Sequence, residues 1–195
     1  MDAKDFESLV IRNRSYRRFD QSKRISREAL VELVDLARRT PSAGNRQPLK
    51  YAVMHSPADC ARLYPHLRWA AALKDWGGPA EGERPAAYVL VFCDRRILKD
   101  PGCDHGIAAQ TLLLGAAARG LGGCMLGAID RAKIRAEFSV AEDLEISLVV
   151  ALGVPAEKCV LEDTAVGGDV TYYRDQQGVH HVPKRPLAEV LVELA

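Results

Sequence analysis

Apolar residues along this chain recur first at helical spacing and then in continuous runs, and the changes of pattern mark out its elements. Phe6, Leu9 and Val10 fall on one face of a helix over residues 5–12. Ser26 can cap a second helix, with Glu28 near its positive end and Leu30, Leu33, Val34 and Ala37 forming a core-facing stripe. Thr40-Pro41 ends that helix, because the residue before a proline is pushed out of the α region. Residues 51–55 predict a strand, Ser56-Pro57 opens another helix, and Pro65 breaks or restarts it.

The run Ala87–Cys93 is apolar throughout and predicts a central strand covered on both faces. Asp104 is placed to cap a long buried helix running to about Arg119, with Gly120 as its stop. A short strand over 122–127, a helix from Asp130 to about Phe138 and a buried strand over 146–152 follow. Residues 170–182 hold a Gln177-Gly178 turn signal and predict a hairpin, and a final helix follows Pro186. Residues 73–84 have loop composition around Trp76 and form a candidate lid, whereas Trp69 is assigned to the core. The expected architecture is α+β: a mixed or antiparallel sheet of about four strands flanked by helices, one of them long and buried. The 195 residues are read as a single domain.

Composition narrows the function classes. A formal charge of +1 argues against a general nucleic-acid binder. The charged start Met1–Phe6 does not resemble a secretory signal, and the apolar run 106–118 is too short to span a bilayer, so a cytoplasmic protein is expected. Five scattered cysteines, none in a C-x-x-C pair, suit reduced thiols better than disulfides or a zinc site. Cys103-Asp104-His105 is discounted as a nucleophile and base because adjacent residues seldom face one another. His180-His181 is discounted as a metal site because neighbours on a strand point to opposite faces. No catalytic side chain and no metal ligand are assigned.

Two short segments carry the chemistry. Asn13–Phe19 gathers Arg14, Arg17 and Arg18 around Ser15, and guanidinium forks grip phosphate oxygens in pairs. Thr40–Pro48 holds Ser42, Asn45 and Gln47, whose donors and acceptors can read the edge of a heterocycle. Taken singly, the first could be a solvated basic turn and the second an ordinary helix-to-strand connection. The glycines at 120, 122 and 123 come in the order helix, glycines, strand, the reverse of a dinucleotide fingerprint. They either end the helix or let backbone approach a planar ring. Lys184-Arg185 adds cationic donors near the carboxyl end.

As an ordered set, these pieces resemble the FMN-dependent nitroreductase family over essentially the whole chain. The set is Arg14-Ser15-x-Arg17-x-Phe19, Pro41-Ser42-Ala43-x-Asn45-x-Gln47-Pro48, Gly120-Leu121-Gly122, Leu152-Gly153-Val154-Pro155 and Lys184-Arg185-Pro186-Leu187. The resemblance implies a homodimer with two FMN sites at its interface and the long helix beside it. Arg14, Ser15, Arg17 and Arg185, with Lys184 alongside, would hold the phosphate and ribityl region. Pro41, Ser42, Ala43 and Asn45 would come from the partner chain, Gln47 would support that loop or the ring, and Gly122 and Gly123 would approach the flavin. The implied activity is hydride transfer from NAD(P)H through FMN to an organic acceptor such as a nitroaromatic or quinone. Alternatives are reductive dehalogenation, flavin fragmentation, or a non-catalytic flavin-binding protein. The chain departs from the family pattern at Asn13, Leu49 and Met125, where a basic residue and two aromatics are usual.

Overall fold

The computed structural model describes residues 2–194. Contacts gather into two compact units, one comprising the chain up to Trp69 together with Gly78–Ala156, the other Ala70–Gly77 with the chain from Glu157 on.

In the first unit, α1 (Ala3–Arg12) is closed at its start by a reciprocal capping box between Asp2 and Asp5. A two-residue strand β1 (Phe19–Asp20) follows. Helix α2 (Arg27–Ala37) is capped by Ser26, whose side chain accepts from the Ala29 amide. Strand β2 (Leu49–Met54), helix α3 (Pro57–Leu63) and strand β3 (Ala87–Asp94) precede the 15-residue helix α4 (Asp104–Ala118). Strand β4 (Gly122–Leu126), helix α5 (Arg131–Glu137) and the 12-residue strand β5 (Leu144–Pro155) complete the unit.

The sheet is antiparallel, in the order β1-β5-β3-β2, with β4 also paired to β5. Every residue of β3 is buried, as its unbroken apolar run requires. Ala87, Val89 and Val91 pack with Leu30 and Leu33 of α2 and with Ala108, Leu112 and Ala116 of α4. The alternate residues Tyr88, Leu90 and Phe92 point to the opposite face of the sheet. The α+β expectation holds, and β1 is a strand that the periodicity does not reveal.

The second unit has its own small sheet. Strand β6 (Cys159–Asp163) runs parallel to β8 (His180–Lys184), and β7 (Tyr173–Arg174) pairs antiparallel with β8. The expected hairpin is therefore present, but β6 joins it as an unforeseen third strand. The final helix α6 (Leu187–Val190) is a single turn. Trp76, which the candidate lid carries, is half-buried, and the Arg174 guanidinium lies over its ring, 4.7 Å from the centroid.

His181 is held between two carboxylates. Its Nδ1 meets Glu162, its Nε2 lies 3.1 Å from Asp175, and its ring stacks on Tyr173 at 4.6 Å. The hydrogen bond to Asp175, and then that to Glu162, raises its pKa above 6.5. A raised folded-state pKa gives stabilisation that is complete below the unfolded value and lost as pH rises through the folded one. The second unit should accordingly become less protected as pH climbs from about 6.5 into the mildly alkaline range. Hydrogen exchange of residues 159–184, corrected for intrinsic rates, checks this, and His181→Gln should flatten the dependence. A wild-type profile already flat over that range contradicts it.

Candidate functional site

The Arg/Ser segment leaves the end of α1 and runs beside the sheet. Ser15 forms a parallel bridge with Gly123, and the Tyr16 amide donates to the Gly123 carbonyl at 3.0 Å. The structure thus brings the basic segment against the glycine strand, joining two of the sequence-predicted pieces. Arg14 Nη2 donates to the Val10 carbonyl at 2.7 Å, whereas its Nε is buried with no acceptor among the described residues. Arg17 Nη1 donates to the Ser15 carbonyl at 3.2 Å, and the Ser15 side chain is exposed. A buried unpaired donor costs about 1–3 kcal/mol, so an anion at Arg14 would relieve a standing penalty.

The glycines here serve the protein's own packing. A Cβ at Gly122 would stand 2.6 Å from both Pro155 and Tyr16, and one at Gly123 only 2.2 Å from the Ala151 carbonyl oxygen. Both residues are buried, which accounts for their lack of side chains without any ligand.

The amide loop is tied down by a residue that sequence reading assigns elsewhere. Asp104 does not cap α4, whose N-cap position is Cys103. Its buried carboxylate instead accepts from Ser42 Oγ at 2.6 Å and from the Ala43 amide at 3.0 Å. Ser42 Oγ accepts in turn from the Gln47 amide at 2.9 Å, and Gln47 Nε2 donates to Asn45 Oδ1 at 3.0 Å. Gln47 therefore supports the loop. Gly44, Asn45 and Gln47 all have left-handed backbones, with φ of 58°, 52° and 51°. For Asn45 and Gln47 that conformation costs roughly 1–2 kcal/mol each, and such strain gathers at functional loops. Beside the loop lies a cavity of about 220 Å³ lined by Pro41, Gln47, Lys50, Tyr51 and Asp104 among others. Burial and the charge of Asp104 push the Tyr51 hydroxyl up to about 12.

The two clusters do not meet within one chain. Asp104 begins α4, while Arg12 Nη2 reaches the Ala117 carbonyl at 3.5 Å near its end. At 1.5 Å per residue, the helix separates them by roughly 20 Å. Lys184 and Arg185 belong to the second unit, where Arg185 Nη1 pairs with Glu189 at 2.6 Å.

A family model for the nitroreductase family matches residues 11–154, from the end of α1 through β5. The chain belongs to the nitroreductase family. A candidate NADH dehydrogenase/NAD(P)H nitroreductase of Methanothermobacter thermautotrophicus is 30% identical over 160 residues, 78% of either chain. A candidate NAD(P)H nitroreductase of Bacillus subtilis is 24% identical, over 71% of this chain and 84% of its own length. Among solved structures, a candidate nitroreductase from Exiguobacterium sibiricum in complex with FMN superposes with a TM-score of 0.66 at 22% identity, covering 80% of this chain and 91% of its own. This family membership makes the protein an oxidoreductase of the nitroreductase type. Among the described residues, no helix is long and apolar enough to cross a membrane.

Proposed function

We propose that this nitroreductase-family protein binds FMN and uses it to oxidise NAD(P)H at the expense of a small organic acceptor such as a nitroaromatic or quinone. The observation that carries the reading is the buried, unpartnered Nε of Arg14 beside the Ser15–Gly123 bridge. The residues fit a phosphorylated ring cofactor: Arg14, Arg17 and Ser15 would hold the phosphate, with Lys184 and Arg185 as further cationic donors. FMN, when bound, supplies the electron transfer, which is why no side-chain acid or base is assigned. The chain's own residues bind and orient. Arg14 offers a fixed donor, Gly122 and Gly123 present backbone at a packed sheet edge, and Asp104 keeps Ser42, Ala43 and Asn45 in one conformation.

We infer a homodimer that shares its sites, a reading supported by the separation of the two clusters. Two half-sites at opposite ends of α4 lie roughly 20 Å apart along the helix, and a second copy packed along α4 would bring one end beside the other. Ile107, 39% exposed, with Gln110 and Ala118, leaves a strip of α4 outside the core for such a partner. We place the protein in the cytoplasm, in keeping with its five free thiols and the NAD(P)H it would consume.

The first test is direct. Purified protein should be yellow and release FMN on denaturation, and NAD(P)H oxidation should depend on an added acceptor. Arg17→Ala should weaken FMN binding by about 1.5–3 kcal/mol in fluorescence titration while the protein stays folded, as expected for loss of one charge-assisted bond. Unchanged affinity in Arg14→Ala, Arg17→Ala and Arg185→Ala alike would reject the phosphate clamp.

A further inference from the structure

A second cavity, with two arginines in a largely apolar lining, lies in the first unit, and none of its lining residues belongs to the flavin-site set. It has a volume of about 210 Å³ and is lined by Gln21, Arg24, Pro57, Cys60, Arg84 and Tyr88 among others. We propose that it binds a small oxyanion, a phosphate or carboxylate group, between the guanidinium groups of Arg24 and Arg84.

Four features carry the proposal. The volume exceeds the ~30 Å³ of a single water several-fold and falls short of the ~300 Å³ at which drug-sized pockets begin, so the occupant has a handful of heavy atoms. The charge selects an anion. Arg24 and Arg84 line the cavity against one carboxylate, that of Glu81, among the described lining residues; Arg24 and Glu81 are both exposed, and the lining charge is net positive. Arg84 also has an unused donor. Its guanidinium stands 4.2 Å from the centroid of the Tyr64 ring, and its Nε is buried with no acceptor among the described residues. Arg24 gives Nη2 to the His55 carbonyl, and a guanidinium has four further N–H groups. A pair of forks of this kind matches the geometry of an oxyanion better than that of a neutral ligand.

The cavity walls are fixed before any ligand arrives. Gln21 Oε1 accepts from the Gly82 amide at 2.8 Å and from the Arg84 amide at 3.2 Å. The Phe19 and Gln21 amides donate to the carbonyls of Glu83 and Gly82, and Arg18 makes a two-pronged ion pair with Glu83. Loop 81–85 is thereby bound to the 18–21 segment, which holds the Arg84 backbone in place. Binding therefore requires little ordering of the chain, a condition that favours affinity for a small ligand.

Thermal unfolding with inorganic phosphate, and separately with acetate, against chloride at matched ionic strength tests the site. The protein is first saturated with FMN so that the residues proposed for the flavin phosphate are engaged. Phosphate or acetate should raise the melting temperature by roughly 2–4 °C, a readable shift for a chain of this size. Arg84→Lys, which keeps the charge but loses the fork, and Arg24→Gln should each abolish the rise while melting normally in chloride. Arg14→Ala should retain it. No rise in the wild-type protein, the same rise in both cavity variants, or loss of the rise in Arg14→Ala would each overturn the proposal.

Discussion

Asp104→Ala is expected to abolish tight FMN binding although Asp104 need not touch the cofactor. Its carboxylate receives both Ser42 Oγ and the Ala43 amide, and it is buried, so truncation removes two charge-assisted bonds and leaves two donors unpaired. Hydrogen bonds to charged groups contribute about 1.5–3 kcal/mol each. The loop also carries left-handed residues at Asn45 and Gln47, whose strain is tolerated only while the surroundings impose it. Without Asp104 the loop should relax and the FMN dissociation constant should rise at least about a hundredfold, equivalent to roughly 3 kcal/mol. Asp104→Asn, which keeps an acceptor for one donor, should recover part of the affinity. The same two variants should lower the Tyr51 pKa from about 12, because the Asp104 charge is one of the two causes that raise it. Ultraviolet titration of the tyrosinate band reads this without any flavin. An unchanged Tyr51 titration together with full FMN affinity would contradict the arrangement.

Gly123→Ala should have the largest effect on stability. The added methyl would lie 2.2 Å from the Ala151 carbonyl oxygen, 2.9 Å from Leu113 and 3.0 Å from Leu152, and backbone of a central strand cannot step aside as a flexible side chain can. Overpacking costs about 1–3 kcal/mol and occasionally more, and here the upper end is expected because β4 must part from β5 or α4 must shift. The same substitution at Gly106, whose Cβ would meet nothing within 4 Å, is helical and should stabilise by about 0.5–1 kcal/mol. Denaturant melts of the two variants should move in opposite directions. Equal shifts would mean that the crowding around Gly123 is relieved elsewhere.

The parts legible in the sequence are those decided by neighbours along the chain. Ser26, Ser56 and Asp130 cap the helices expected of them, since a cap needs only the amides three residues on. The run from Ala87 reads as a covered strand because its burial leaves no polar face to record. What escaped depends on distant partners. Strand β1 has two residues and exists through pairing with Val154 and Pro155. Strand β6 is a strand because β8 lies beside it in parallel, about twenty residues later. Asp104 carries the signature of a helix cap, and its true partners, Ser42 and Ala43, lie 62 and 61 residues away. A carboxylate at a helix start serves either use, so sequence alone chose the local one. For the candidate site, the Arg/Ser segment and the amide loop were visible as chemistry. That α4 holds them apart was visible only in three dimensions.

The most direct test of the account asks whether one chain's Arg14 and another chain's Asn45 serve the same FMN. Subunits carrying Arg14→Ala and subunits carrying Asn45→Ala, bearing different tags, are co-expressed and the mixed dimer is isolated through both tags. Each homodimer of a variant should have no intact site, whereas the mixed dimer should regain one and hold FMN near half the wild-type content at wild-type affinity. A mixed dimer with no tight site, or a monomer that binds FMN at full affinity, would contradict a site shared between two chains.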